Sequence, residues 1–280
     1  MVRITTDSTA DLGIEISTQR SIDTIPLIVD IHDHAYKDGV TIEPRQLFQL
    51  VEQYNELPKT SAPSILEFTD FFKDSPEIVH ITISSKISCS YQNACLAIEN
   101  QAAKNIHVID SLNLSSGIGL LVLKAADLRD AGCSAQEIAS QISTLIPTVR
   151  TSFVVDTLDY LYKGGRCSAL QNIMGSLLKI HPVIEMRSDG TLGVRSKVRG
   201  ARKKALQKLL DDLEKNLPAL DRDRIFITHS SSPEDAEYLK AEIQRIAAPR
   251  EIFITQAGAV ISSHCGPGTI GILYLVRPEA

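Results

Sequence analysis

The alternation of β-rich runs with helical patterns constrains this chain more than any other feature. In the first half, "VRITTDS", "TIPLIVDIH", "IVHITIS" and "NIHVID" read as strands. Among them, "PRQLFQLVEQY", "SILEFTDFF", "YQNACLAIEN" and "IGLLVLKAADLRDAG" carry apolar residues at helical spacing. Strands that are apolar almost throughout and alternate with helices belong in a parallel sheet covered on both faces. Two helix starts match the S-x-x-E pattern, Ser64 with Glu67 and Ser134 with Glu137, in which hydroxyl and carboxylate tie up the first free amides.

After Pro147 the pattern changes. The strands "TSFVVDT", "HPVIEMR", "RIFITHS", "EIFITQAG" and "GILYLVR" are separated by helices expected at Leu170–Lys179, Val198–Leu217 and Pro233–Ala247. In the long helix, Leu206, Leu209, Leu210, Leu213 and Leu217 form one apolar stripe that would lie on a sheet. "EMRSDGTLGVRSKV" reads as a hairpin through Asp189-Gly190, which brings antiparallel pairing. A chain of 280 residues exceeds what one hydrophobic core usually holds. The expected architecture is α/β in two domains, a parallel-sheet α/β domain over residues 1–148 and an α+β domain over residues 149–280. A ligand site at and below the cleft between them is the natural consequence.

The net charge of -5 argues against a nucleic-acid partner, since phosphate-binding surfaces concentrate Lys and Arg. The densest basic run, "RGARKKALQK" from Arg199 to Lys208, reads as a solvated helix face because Asp211, Asp212 and Glu214 follow it. Five cysteines with no C-x-x-C pair form neither a disulfide framework nor a zinc site. The segment "MVRITTDSTADLG" lacks the features of a signal peptide, and no window approaches the ~18 apolar residues of a membrane span. A reducing cytoplasm, with no integral membrane segment, is the expected setting.

Near the carboxyl end, Gly266, Gly268 and Gly271 in "SSHCGPGTIG" spell a G-x-G-x-x-G pattern. A dinucleotide loop needs a helix to begin there and aim its amides at the pyrophosphate. Here "ILYLVR" reads as a strand, and Pro267 has no amide to give. The stretch is therefore expected to be a tight glycine turn between two strands with His264 at its entrance. A histidine there either caps a carbonyl of the turn or contacts a ligand, and spacing leaves both open.

Other loops favour anions. In "KTSAPS", Thr60 and Ser61 stand just before a capped helix, and "ISSKISCSYQNA" places Ser84, Ser85, Ser88 and Ser90 between a strand and a helix beginning near Ser90. Both loops fall at carboxyl ends of strands, the edge where α/β folds bind ligands. In "YLYKGGRCS", Gly164-Gly165 stops a short helix and leaves Arg166 available to clamp an anion. Asp7 and Asp11 in "TDSTADL" read as an Asx turn with a helix cap rather than a metal set, and His32 and His34 as surface loop residues. No G-x-S-x-G elbow marks a hydrolase serine.

These segments together resemble the DegV family of bacterial two-domain lipid-binding proteins, which includes the fatty-acid-binding subunits of fatty acid kinase. The resemblance is carried by "TDSTADL" (Thr6–Leu12), "IPLIV" (Ile25–Val29), "KTSAPS" (Lys59–Ser64), "ISSKISCSYQNA" (Ile83–Ala94), "YLYKGGRCS" (Tyr160–Ser168), "LLKIHPVIE" (Leu177–Glu185) and "SSHCGPGTIG" (Ser262–Gly271). It implies a long-chain fatty acid with its tail buried and its carboxylate held in the cleft by Thr60, Ser61, Ser88, Arg166, His264 and Gly266. It also implies no cofactor, no metal and no catalysis by this chain itself. An ATP-dependent fatty acid kinase subunit would phosphorylate the presented carboxylate to an acyl phosphate. Cys89 departs from the pattern, standing in a turn where the family reads Ser-Gly, as in "SGTYQ". The alternative is a hydrolase or acyltransferase using a cleft serine with His264.

Overall fold

The computed structural model describes residues 1–73, 75, 77–99, 105–166 and 180–277. The expected helix at Leu170–Lys179 lies outside these described residues. The first part of the chain runs through β1 (Arg3–Asp7), α1 (Gly13–Gln19), β2 (Ile22–Ile25), β3 (Ile28–Ile31), β4 (His34–Lys37), α2 (Pro44–Tyr54) and β5 (Lys59–Ser61). It continues with α3 (Ile65–Phe72), β6 (Glu77–Thr82), α4 (Ser90–Glu99), β7 (Asn105–Asp110), α5 (Ser116–Asp130) and α6 (Ala135–Leu145). The second part comprises β8 (Val149–Val154), α7 (Asp159–Lys163), β9 (Ile180–Met186), β10 (Leu192–Arg199), α8 (Arg202–Asn216) and β11 (Leu220–Ser230). It closes with α9 (Pro233–Ile246), β12 (Glu251–Gln256), α10 (Ala259–Cys265) and β13 (Thr269–Val276).

The strands assemble into three sheets. A four-stranded sheet, β2-β1-β6-β7, is parallel throughout. A six-stranded sheet, β10-β9-β8-β13-β11-β12, is antiparallel except where β11 meets β12. A small antiparallel sheet, β4-β3-β5, stands apart. All eight residues of β13 are buried, as the continuous apolar run requires of a strand covered on both faces.

Between the two large sheets lies α5, with 11 of its 15 residues buried. It packs on β1 and β6 on one side and on β8, β11 and β13 on the other. A helix apolar over most of its circumference has little surface to offer water, so it is enclosed, and its polar side chains Lys124 and Asp127 are ion-paired. Gly119 permits the close fit, since a Cβ there would lie 2.9 Å from Leu12 Cδ2. The largest core, including Ile4, Ile81, Leu121, Phe153 and Leu273, is consequently common to both sheets. Phe68, Phe72 and Ala94 from α3 and α4 cover the outer face of the parallel sheet. The leucine stripe of α8, with Leu239 and Ile243 of α9, covers the outer face of the mixed one.

Local signals hold. Both capping boxes form, and the hairpin turns at Gly190 with φ +82°, Arg187 N donating to Thr191 O at 2.9 Å. On α8, Asp212 accepts from Lys208 at 2.5 Å and from Arg195 at 2.7 Å, so acids meet the basic run. Three expectations change. "TIPLIVDIH" is two strands in different sheets, because Pro26 has no amide for a ladder. The long helix starts at Arg202 rather than Val198, since Val198 and Arg199 pair with β9 before Gly200 turns the chain at φ +104°. The histidine of "SSHCGPG" does not open a turn between strands: it sits in the last turn of α10, which Gly266 ends at φ 75°.

Candidate functional site

A cavity of about 680 Å³ opens where β5, two loops and α10 converge above the inner faces of the large sheets. Its volume falls within the range usual for small-molecule sites, roughly 300–1,000 Å³. Strand β5 contributes Thr60 and Ser61, the loop between β6 and α4 contributes Ser88 and Cys89, α7 leads into Arg166, and α10 contributes His264. Of the six residues expected from sequence, these segments bring five to the cavity wall. Gly266 lies just past α10, where it turns the chain, and is not among the lining residues.

The imidazole of His264 shares a hydrogen bond with Thr60, Nε2 to Oγ1 at 2.7 Å. Burial pushes its pKa down to about 4, with the Arg166 cation adding to the effect, so the ring is neutral near pH 7. Its Nδ1 is sealed from solvent without a partner. When Nε2–H donates to Thr60, the Thr60 hydroxyl proton is left to point at an anion. Arg166 is exposed and spans the rim, donating from Nη1 to Gly164 O at 2.7 Å and from Nε to Ile87 O at 3.5 Å. Ser88 Oγ accepts from Ser90 N at 3.2 Å, which keeps its own proton available. Cys89 is exposed and does not need the positive φ that favours glycine, so the turn accepts its side chain. Among the described lining residues the formal charges are two cations, Lys86 and Arg166, with no carboxylate. A rim with these charges is electrostatically suited to an anion.

Deeper, the wall is apolar, with Ile83, Leu114, Phe153, Leu192 and Leu273 shared between the cavity and the common core. Sequence inspection missed a band of hydroxyls at this depth, which only the folding together of distant strands creates. Thr151 donates to Asn113 Oδ1 at 2.7 Å, Ser115 donates to Asp11 Oδ2 at 2.6 Å, Thr228 bonds Thr255 at 2.8 Å, and Ser230 bonds Ser262 at 3.0 Å. With their polar atoms satisfied by protein, these residues behave as apolar wall toward an occupant.

What holds His264 in place was half visible in "TDSTADL". Asp7 does cap an Asx turn, accepting from Thr9 N at 3.1 Å. Asp11 reaches further and accepts from Gly258 N at 2.8 Å, while Asp38 accepts from Ala259 N at 2.7 Å. The two carboxylates thus satisfy the first free amides of α10. No group of three or more His, Cys, Asp or Glu suited to a metal occurs among the described residues.

Burial raises Asp38 to about 6, from an ordinary value of 3.8. Asp7 is raised likewise to about 6, and Asp11 well above its ordinary value. Between about pH 4 and 6 the folded chain then binds more protons at Asp38 than the unfolded chain, so this contribution to stability falls as pH rises. Asp38→Asn removes the ionisation while keeping an oxygen for Ala259 N. Urea unfolding at pH 4 and pH 7 should show the variant gaining about 2 to 3 kcal/mol on wild type as pH rises. Parallel curves would assign the titration elsewhere.

The family model for DegV, an uncharacterised protein family, matches residues 1–277. A DegV domain-containing protein from Caldanaerobacter subterraneus subsp. tengcongensis is 33% identical over 277 residues, 98% of each chain. The fold is similar to that of a fatty-acid-binding DegV family protein from Thermus thermophilus. That match has TM-score 0.91 and 29% identity, and covers 98% of this chain and 99% of the other. It is also similar to the Fak B3 protein of Streptococcus pneumoniae fatty acid kinase, solved loaded with linoleic acid. There the TM-score is 0.88 at 26% identity, covering 99% of this chain and all (100%) of the other.

Proposed function

Since the chain belongs to the DegV family, we propose that it binds a long-chain fatty acid and presents the carboxylate to an ATP-dependent fatty acid kinase subunit. The tail would occupy the cavity, and the carboxylate would lie among Thr60, Ser61, Ser88, Arg166 and His264. One observation carries this reading: a deep wall whose hydroxyls are all paired leads to a rim with two cations and no carboxylate among the described residues. An amphiphile with one anionic end fits that gradient. Burying a sixteen-carbon tail gives a gross gain on the order of 10 kcal/mol before ordering costs. The fatty acids bound by the structural neighbours support the same assignment. In the partner reaction a carboxylate oxygen would attack the γ-phosphorus of ATP as the bond to ADP breaks, giving an acyl phosphate. The nucleotide would come with the partner, in a cytoplasmic setting.

A hydrolase or acyltransferase using His264 fits less well. The ring's hydroxyl partner is Thr60 rather than a serine, and Nδ1 has no carboxylate to orient it. A pKa of about 4 also makes it a weak base. The chain is accordingly read as a binding subunit without catalysis of its own.

Denaturing extraction of the purified protein, followed by mass spectrometry, should release fatty acid at close to one per chain. His264→Ala is expected to weaken retention about 10- to 100-fold, the worth of one hydrogen bond to a charged group. Arg166→Ala, more exposed, should cost several-fold. A protein that retains no fatty acid, native or added, would defeat the reading.

A further inference from the structure

We propose that Lys86 fits this site to the phosphorylated form of its ligand, favouring a long-chain phosphate over the free carboxylate. The inference rests on the lipid-binding reading and adds a residue and a specificity to it. Lys86 lies in the loop between β6 and α4 and lines the same cavity as Thr60, Arg166 and His264. Its side chain is exposed, and its ammonium has no ion pair or hydrogen bond among the described residues. By contrast, Lys124 and Lys208 each meet a carboxylate within 3.0 Å. An unpartnered cation beside a cavity that holds no acid among its described lining residues is available to a ligand.

Charge count supplies the rest. A carboxylate carries one negative charge, which Arg166 can balance. A phosphate ester carries about 1.5 to 2 near neutral pH, so a second cation is needed. His264 does not provide it, because burial keeps the ring neutral. Lys86 is the other formal cation among the described lining residues. An ammonium acts as a point charge with rotatable donors, which suits a phosphate whose oxygens turn as the ligand changes from acid to product.

The test is displacement of a bound fluorescent fatty acid by palmitate and, separately, by hexadecyl phosphate, a stable long-chain phosphate, at low salt. Lys86→Gln should weaken hexadecyl phosphate about five- to tenfold and palmitate only about two- to threefold, as their charges differ, with Lys86→Arg recovering most of the loss. Equal weakening of both ligands, or no change for hexadecyl phosphate, would overturn the role given to Lys86. So would wild-type protein that binds palmitate but not hexadecyl phosphate. If wild type binds neither, the lipid-binding reading itself fails.

Discussion

Gly164→Ala is expected to lower fatty acid affinity at least tenfold while the chain stays folded. The backbone at Gly164 is in the right-handed helical region, φ -69° and ψ -14°, so alanine meets no conformational objection. The obstacle is space. A Cβ at this position would run into His264 Nδ1 and would lie 2.8 Å from Tyr160 O. A ring and a helical carbonyl are both stiff, so either the imidazole turns or α10 draws back from α7. In both cases the 2.7 Å contact between His264 and Thr60 is broken. Tenfold corresponds to about 1.4 kcal/mol, less than one hydrogen bond to a charged group contributes. Titration calorimetry with palmitate reads the effect directly, and unchanged affinity would remove His264 from the head-group site.

Leu121→Ala should produce the largest loss of stability, about 3 to 5 kcal/mol by guanidinium unfolding. Leu121 is fully buried on α5, in the core common to both large sheets. Sites of this kind relax little, because elements on opposite sides would both have to move to fill the space. A loss below about 1 kcal/mol would mean that α5 is far less confined than its burial states.

What was legible in the sequence was local. Ser64 and Ser134 announce their helices because the capping partner lies three residues on, and Asp189-Gly190 announces its hairpin for the same reason. The serine loop at Ser88 and the exposed Arg166 were recognisable from residue type beside strand and helix ends, whereas Thr60 and Ser61, read as loop residues, lie in β5 and pair with β3. α10 was not, since the carboxylates that cap it are 247 and 221 residues away in the chain. Nor could the cavity be seen, because Ile83, Phe153 and Leu273 line it with the same residue types that fill the core. The role of Lys86 depends on which of its neighbours lack a carboxylate, and only three-dimensional proximity defines those neighbours.

The position of α5 also bears on how an occupant enters and leaves. Parting the two large sheets like a hinged shell would strip water-free contacts from one whole side of a helix with 11 buried residues. That route is far costlier than shifting a loop, since loops open with a small fraction of the global unfolding free energy. On the proposed lipid-binding reading, traffic would pass at the rim, past Ser61, Ser88 and Arg166, while the interior stays shut. The speed of exchange would then belong to a few surface residues, and two properties could be tuned separately: residence time by the rim, and choice of tail by the rigid interior.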